Sequence, residues 1–153
     1  MRPNRDTALR WLRQAAHDLR IAGGHQERGD YSDACFMAEQ AAQKALKGFL
    51  MAQGQRTIPL HSVAQLAERC AQFDADFTAH IISGRLLDQY YIPTRYPDAL
   101  APPAVPFESY TQEQGERAVT AVLAWAPRPL MCELSTSNRC TWWPCEAHRA
   151  RSS

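Results

Sequence analysis

Apolar residues recur every three to four positions along most of this chain, and that spacing limits its folds more than any other feature. The clearest case lies between residues 30 and 54, where small or apolar side chains form one helical stripe: Ala34, Met37, Ala38, Ala41, Ala45, Phe49 and Ala52. No segment shows the strict alternation of β-branched side chains that is typical of a half-buried strand. The pattern therefore predicts an all-α fold of packed amphipathic helices.

Five helices follow from this periodicity and from the residues that commonly begin and end helices. They are predicted over residues 6–27, 30–53, 61–71, 77–92 and 112–126. Asp30 is expected to cap the second helix, and Gly54 to mark its end. Thr111 and Gln114 form a capping-box pattern at the start of the fifth helix, which Pro127 ends. This order predicts an up-and-down helical bundle.

Gly84 stands inside the fourth predicted helix, on a face that also carries large apolar side chains: Phe77, Ile81, Leu87 and Tyr91. Glycine costs about 1 kcal/mol relative to alanine in a helix interior. Its presence at this position indicates that another stretch of backbone lies close to the helix.

The composition changes after residue 126. Residues 127–153 have no helical or strand period, although they hold three of the five cysteines and two of the four tryptophans. We therefore expect one helical domain over residues 1–126 and an irregular, disordered C-terminal tail over residues 127–153. The tail contains four side chains of types that bind metals: Cys132, Cys140, Cys145 and His148. They lack the close cysteine pairs of common structural zinc sites, so no metal site is predicted.

Charge and hydropathy exclude several classes of protein. The net charge is +1 and 22% of residues are charged, so the chain has no general field that would attract nucleic acid. The first residues contain arginines but no apolar run like that of a signal peptide, and no stretch reaches the roughly 20 apolar residues of a membrane span. A cytoplasmic protein that does not bind membranes is predicted.

Four segments resemble, in their order and spacing, the HEPN domain, a family named for higher eukaryotes and prokaryotes nucleotide-binding. The segments are AAHDL in the first helix, GDYSDACFMAEQAAQKALKGFL in the second, HSVAQL at the start of the third and YYIPTRYPDA after the fourth. They lie within residues 8–126. The resemblance implies a helical bundle that often forms a homodimer, and no cofactor is predicted for it.

The resemblance implies one of two activities. Some members bind a nucleotide or act beside a separate nucleotidyltransferase chain, in some cases as a toxin–antitoxin pair. We expect this kind of activity for the present chain. Other members are metal-independent RNases that use an arginine and, a few residues later, a histidine close to the final helix. A module that only binds another protein is the third alternative.

This chain departs from the pattern of the RNase members. The next histidine after Arg95 is His148, in the tail. Arg56 and His61 have the required spacing, but they precede the third helix instead of lying near the last one. If the protein is an RNase, His61 would act as general base and Arg56 would stabilise the transition state. The structural alternative is that His61 only caps the helix or packs against its neighbours.

Arg95 is the leading candidate for a ligand contact. Pro93 and Pro97 restrict the backbone on both sides of it, so its guanidinium would lose little conformational entropy on binding. A phosphate could accept two hydrogen bonds from Arg95 while a base stacks on a nearby tyrosine ring. The candidate rings are Tyr90, Tyr91 and Tyr96.

Two lysines on the polar side of the second helix, Lys44 and Lys47, would add positive charge for a phosphate. The structural alternative places them on a solvated helix face. For Arg95, the structural alternative is an ion pair with Asp88 or Asp98.

Overall fold

The computed structural model describes residues 5–125, and these residues form helices joined by turns and loops, without strands. The five α-helices are α1 Arg5–Arg28, α2 Tyr31–Ala52, α3 Val63–Ala71, α4 Ile81–Asp88 and α5 Gln112–Ala124. Short 3-10 helices lie in the connections at Ala75–His80, Pro97–Ala99 and Pro106–Glu108. The prediction of an all-α bundle of about five helices is confirmed. The tail predicted over residues 127–153 lies outside the described residues.

The second helix, α2, is the centre of the bundle. α1 packs along its length, and α3, α4 and α5 pack against other sides of it. Most of its predicted apolar stripe is buried, with Met37 and Ala52 only partly so. At one end of the core the Phe49 and Phe77 rings lie 4.6 Å apart, measured between centroids.

Small residues bring neighbouring backbones together at two crossings. A Cβ atom at Gly84 in α4 would lie 2.8 Å from the backbone N and Cα of Ala64 in α3. A Cβ atom at Gly48 in α2 would lie 2.9 Å from the side chain of Leu12 in α1. The expectation that another backbone lies close to Gly84 is therefore confirmed.

The helix ends agree in part with the sequence analysis. The capping box of Thr111 and Gln114 is present, and Gly54 adopts a positive φ of 90° just after α2. Asp30 occupies the N-cap position of α2, but its side chain does not cap the helix. Its carboxylate instead accepts a hydrogen bond from Arg28 Nε at 3.2 Å and lies 3.4 Å from His25 Nδ1.

The predicted third and fourth helices are longer than the observed ones. α3 begins at Val63, because Ser62 caps it by accepting a hydrogen bond from the backbone N–H of Gln65. The fourth predicted helix starts with a 3-10 segment, and its α-helical part ends at Asp88. Tighter hydrogen bonds of the 3-10 type then close the turn that leads to residue 90.

Among the helices of residues 5–125, none has both the length and the apolar character needed to cross a lipid bilayer.

Candidate functional site

Arg95 lies against the first two turns of α2. Its guanidinium covers the Phe36 ring, with Cζ 3.9 Å from the ring centroid. Its Nη1 donates a hydrogen bond to Asp33 Oδ1 at 2.9 Å. The carboxylate partner is therefore Asp33, and the alternatives Asp88 and Asp98 are wrong, because the segment after α4 folds back onto the start of α2.

The backbone holds Arg95 in this place. The N–H groups of Arg95 and Tyr96 both donate to the carbonyl oxygen of Ile92, at 3.0 and 3.2 Å. The Arg95 side chain remains 38% exposed, and that of Asp33 remains 35% exposed. A guanidinium has several N–H donors in a fixed plane, and Asp33 takes one of them. The remaining donors are available to an acceptor that approaches from solvent.

The three candidate tyrosines lie in different surroundings. Tyr90 is buried and packs edge-to-face on Tyr110, and burial raises the pKa of Tyr90 to about 12. Tyr91 is partly buried, and its ring is parallel to the His61 ring at a centroid distance of 6.0 Å. Tyr96, next to Arg95, is 60% exposed. Of the three rings, only that of Tyr96 is mostly open to solvent beside the arginine.

The two lysines do not lie on a solvated helix face, so that alternative is wrong. Lys44 Nζ donates to Asp18 Oδ2 of α1 at 2.6 Å. Lys47 is buried, with its Nζ 5.8 Å from the centroid of the Trp11 ring, and burial lowers its pKa. The sequence pattern suggests that the polar side of α2 faces water, but α1 covers this side in the fold.

Glu39 is one of the buried charged residues that the sequence analysis missed. Its side chain has no exposed surface, and its carboxylate accepts hydrogen bonds from Gln40 Nε2 at 2.8 Å and from Gln43 Nε2. Burial raises the pKa of Glu39 to about 7, against the effect of these two hydrogen bonds. The available signal was a carboxylate followed by two amides, Gln40 and Gln43, in an alanine-rich helix, since a helix with small or apolar residues on several faces is commonly surrounded by other elements.

Hydrogen bonds connect Glu39 to α1. Gln40 donates to Glu39 through Nε2 and accepts from Lys44 Nζ through Oε1, at 3.2 Å. Lys44 then donates to Asp18, which also accepts from Gln14 Nε2 at 2.7 Å. We call this group, together with Gln43, Lys47 and Trp11, the α1–α2 polar cluster.

Arg56 and His61 are exposed and lie in the connection between α2 and α3. Within residues 5–125 no hydrogen bond joins the two side chains, and the His61 ring contacts Tyr91. The helix start beside His61 is already occupied by a carboxylate. Asp88 accepts hydrogen bonds from Ser62 Oγ at 2.7 Å and from the backbone N–H groups of Val63 and Ala64.

Comparisons with known proteins agree on one family. The family model described as the HEPN domain matches residues 8–124. TT1696 from Thermus thermophilus, a crystal structure, is 38% identical and superimposes with a TM-score of 0.66, covering 83% of this chain and 94% of the other. ST0689, described as an archaeal HEPN homologue, is 29% identical and superimposes with a TM-score of 0.64, covering 84% of this chain and 98% of the other. No functionally curated protein matches the chain.

Proposed function

We propose, since this chain belongs to the HEPN domain family, that it binds a nucleotide whose phosphate contacts Arg95. The observation that carries the proposal is the position of the guanidinium. It is stacked on Phe36 and paired with Asp33, while 38% of the Arg95 side chain remains exposed. An arginine fixed in advance binds a phosphate at a lower entropic cost than one on a free loop.

The surface around Arg95 offers contacts for the rest of a nucleotide. The exposed ring of Tyr96 follows it in the chain, and an aromatic ring can stack on any base. Asp33 opposes phosphate binding for two reasons. Its negative charge repels a phosphate, and its carboxylate already accepts a hydrogen bond from one N–H group of Arg95. A bound phosphate would therefore share or take over the guanidinium that Asp33 holds.

Arg95→Ala should weaken ATP binding about tenfold or more, because a charge-assisted bidentate contact contributes about 1.5–3 kcal/mol. Isothermal titration with ATP and other nucleotides measures this effect. The melting temperature should change little, since an exposed ion pair contributes about 0–1 kcal/mol. Arg95→Lys should recover only part of the affinity, because a lysine cannot donate bidentately.

Arg10→Ala is the matched control for Arg95→Ala. Arg10 is exposed on the first half of α1, which packs beside the second half of α2, away from Asp33. This variant should bind nucleotides like the unmodified protein. Unchanged affinity in folded Arg95→Ala protein would remove Arg95 from the proposed site.

Asp33→Asn should strengthen nucleotide binding about two- to fivefold, because the amide keeps the size of the side chain and removes the competing charge. Titrations in low and high salt should show the larger gain in low salt, where charge repulsion is least screened. Weaker binding by this variant would mean that the carboxylate positions Arg95 and does not compete with the ligand.

A separate nucleotidyltransferase chain is a second candidate for the same surface, in a toxin–antitoxin pair or another assembly. The surface near Arg95 includes the exposed apolar side chains of Ile92 and Tyr96, which suits a protein partner as well as a base. We also propose a cytoplasmic homodimer. Analytical ultracentrifugation tests the dimer, and binding of a purified nucleotidyltransferase that Arg95→Ala weakens would favour the second candidate.

RNA cleavage by Arg56 and His61 remains the alternative activity. Incubation of single-stranded RNA with the protein in the presence of a chelator tests it, because this chemistry requires no metal. Cleavage that is lost in both Arg56→Ala and His61→Ala would favour the RNase alternative over simple nucleotide binding.

A further inference from the structure

We propose that the outer face of α1 is a docking surface for an acidic helix of another protein. This face carries four basic side chains, which we call the α1 basic stripe: Arg10, Arg13, His17 and Arg20. All four are exposed. The inference does not depend on nucleotide binding at Arg95, which lies on a different part of the fold.

The spacing of the stripe follows the turn of an α-helix. Its members stand at positions i, i+3, i+7 and i+10 of α1, so they lie on one face along a line about 15 Å long. The buried residues of α1 lie on the opposite side, against α2 and α5: Ala8, Leu12, Ala15, Leu19 and Ala22. The stripe therefore faces away from the core of the bundle.

The one carboxylate within the span of the stripe is turned towards α2. Between residues 10 and 20 this carboxylate is Asp18, whose side chain is 5% exposed and lies 2.6 Å from Lys44 Nζ in the α1–α2 polar cluster. Asp18 therefore does not offset the positive charge of the stripe. Arg20 Nη2 donates a hydrogen bond to His17 Nδ1 at 2.9 Å, and this leaves the His17 Nε2–H group as a further donor.

Carboxylates at both ends limit the length of the stripe. Asp6 lies one helical turn before Arg10, Glu27 lies two turns after Arg20, and both are exposed on the same side of α1. A nucleic-acid backbone that continued along α1 would bring its phosphates to these carboxylates, and like charges repel. The stripe therefore suits an anionic partner about 15 Å long, which is the length of about ten helical residues.

Other anionic partners need contacts that α1 does not offer. A single-stranded nucleic acid gains affinity when its bases stack on aromatic rings, and a helix on a membrane surface inserts apolar side chains. The large apolar side chains that are exposed within residues 5–125 all lie outside α1: Phe73, Ile82, Ile92, Tyr96 and Phe107. A helix with carboxylates at matching positions needs only the charges and donors of the stripe.

The complementary pattern does not occur in this chain itself. Among the helices of residues 5–125, no face has more than two exposed carboxylates at adjacent turns, and those two are Glu113 and Glu116 of α5. Residues 127–153 contain four arginines but only two glutamates, so their net charge has the wrong sign. The partner that fits the stripe is therefore a different protein.

A synthetic helix tests the proposal. The probe is a fluorescent, alanine-based peptide of about 18 residues with glutamates at i, i+3, i+7 and i+10, and its isomer distributes the same glutamates around the helix. In low salt the full chain should bind the striped peptide about tenfold more tightly than the isomer, because several exposed ion pairs form together. Fluorescence anisotropy measures both affinities. Equal affinity for the two peptides would overturn the proposal.

Arg10→Gln/Arg20→Gln should weaken binding of the striped peptide about fivefold or more, with little change in melting temperature because both side chains are exposed. Arg10→Lys/Arg20→Lys should restore most of the affinity, since exposed pairs depend on the charge. Arg85→Gln/Arg117→Gln is the matched control, because it removes two exposed arginines from α4 and α5. An equal loss in this control would mean that only the net charge attracts the peptide, and would overturn the proposal.

A DNA duplex of about 12 base pairs distinguishes a nucleic-acid surface from a protein surface, because its phosphates extend well beyond the stripe. The duplex should bind more weakly than the striped peptide in the same salt, or with an affinity that Arg10→Gln/Arg20→Gln leaves unchanged. Tighter binding of the duplex that this variant abolishes would make the stripe a nucleic-acid interface and overturn the assignment to an acidic helix.

Discussion

Phe49→Ala should lower the free energy of unfolding by about 3–5 kcal/mol, because the substitution removes a large ring from a core that cannot fully collapse around the space. Phe49 lies in α2, is 5% exposed and packs on Phe77 at a centroid distance of 4.6 Å. The ring joins α2 to the 3-10 segment before α4, so its loss affects two elements. Denaturant titration followed by circular dichroism measures the change.

Phe107→Ala is the control for the size of the side chain. Phe107 is 72% exposed in the short 3-10 helix Pro106–Glu108 before α5, and its removal should change the stability by no more than about 0.5 kcal/mol. If Phe49→Ala costs less than about 1 kcal/mol, Phe49 is not a core residue and the observed face of α2 is wrong.

The apolar face of α2 could be predicted because it depends only on the positions of apolar residues along one helix. Ala38, Ala41, Ala45 and Phe49 lie at helical spacing, and all four are buried. The alternative that the polar side of α2 faces solvent was wrong. Helical spacing shows which residues share a face, but it does not show what covers that face. Lys47 is buried against Trp11 of α1, and the buried carboxylate of Glu39 accepts its hydrogen bonds from Gln40 and Gln43 of α2 itself.

The candidate site shows the same division between local and distant information. Pro93 and Pro97 indicated that Arg95 is constrained, and this depends only on neighbouring residues. Its partners Phe36 and Asp33 lie far from it in the sequence, and Asp33 precedes it by 62 residues. No local pattern could identify them, because their contact requires the segment after α4 to fold onto α2.

Gly84 combines both kinds of information. Its position in a predicted helix suggested a close contact, and the fold identifies the contact as the backbone of Ala64. Backbone atoms cannot rotate away as the end of a flexible side chain can. An added methyl group therefore requires α3 and α4 to move apart, and this movement disturbs the α3 start that Asp88 caps.

Gly84→Ala should consequently destabilise the protein by about 1–3 kcal/mol, even though alanine favours a helix by about 1 kcal/mol relative to glycine. Gly23→Ala is the matched control, because Gly23 lies within α1 and a Cβ atom there meets nothing within 4 Å. That variant should gain about 0.5–1 kcal/mol. The same chemical change should thus have opposite signs in the two helices, as measured by denaturant titration. A gain in both variants would show that α3 and α4 do not approach each other as closely as the contact between Gly84 and Ala64 requires.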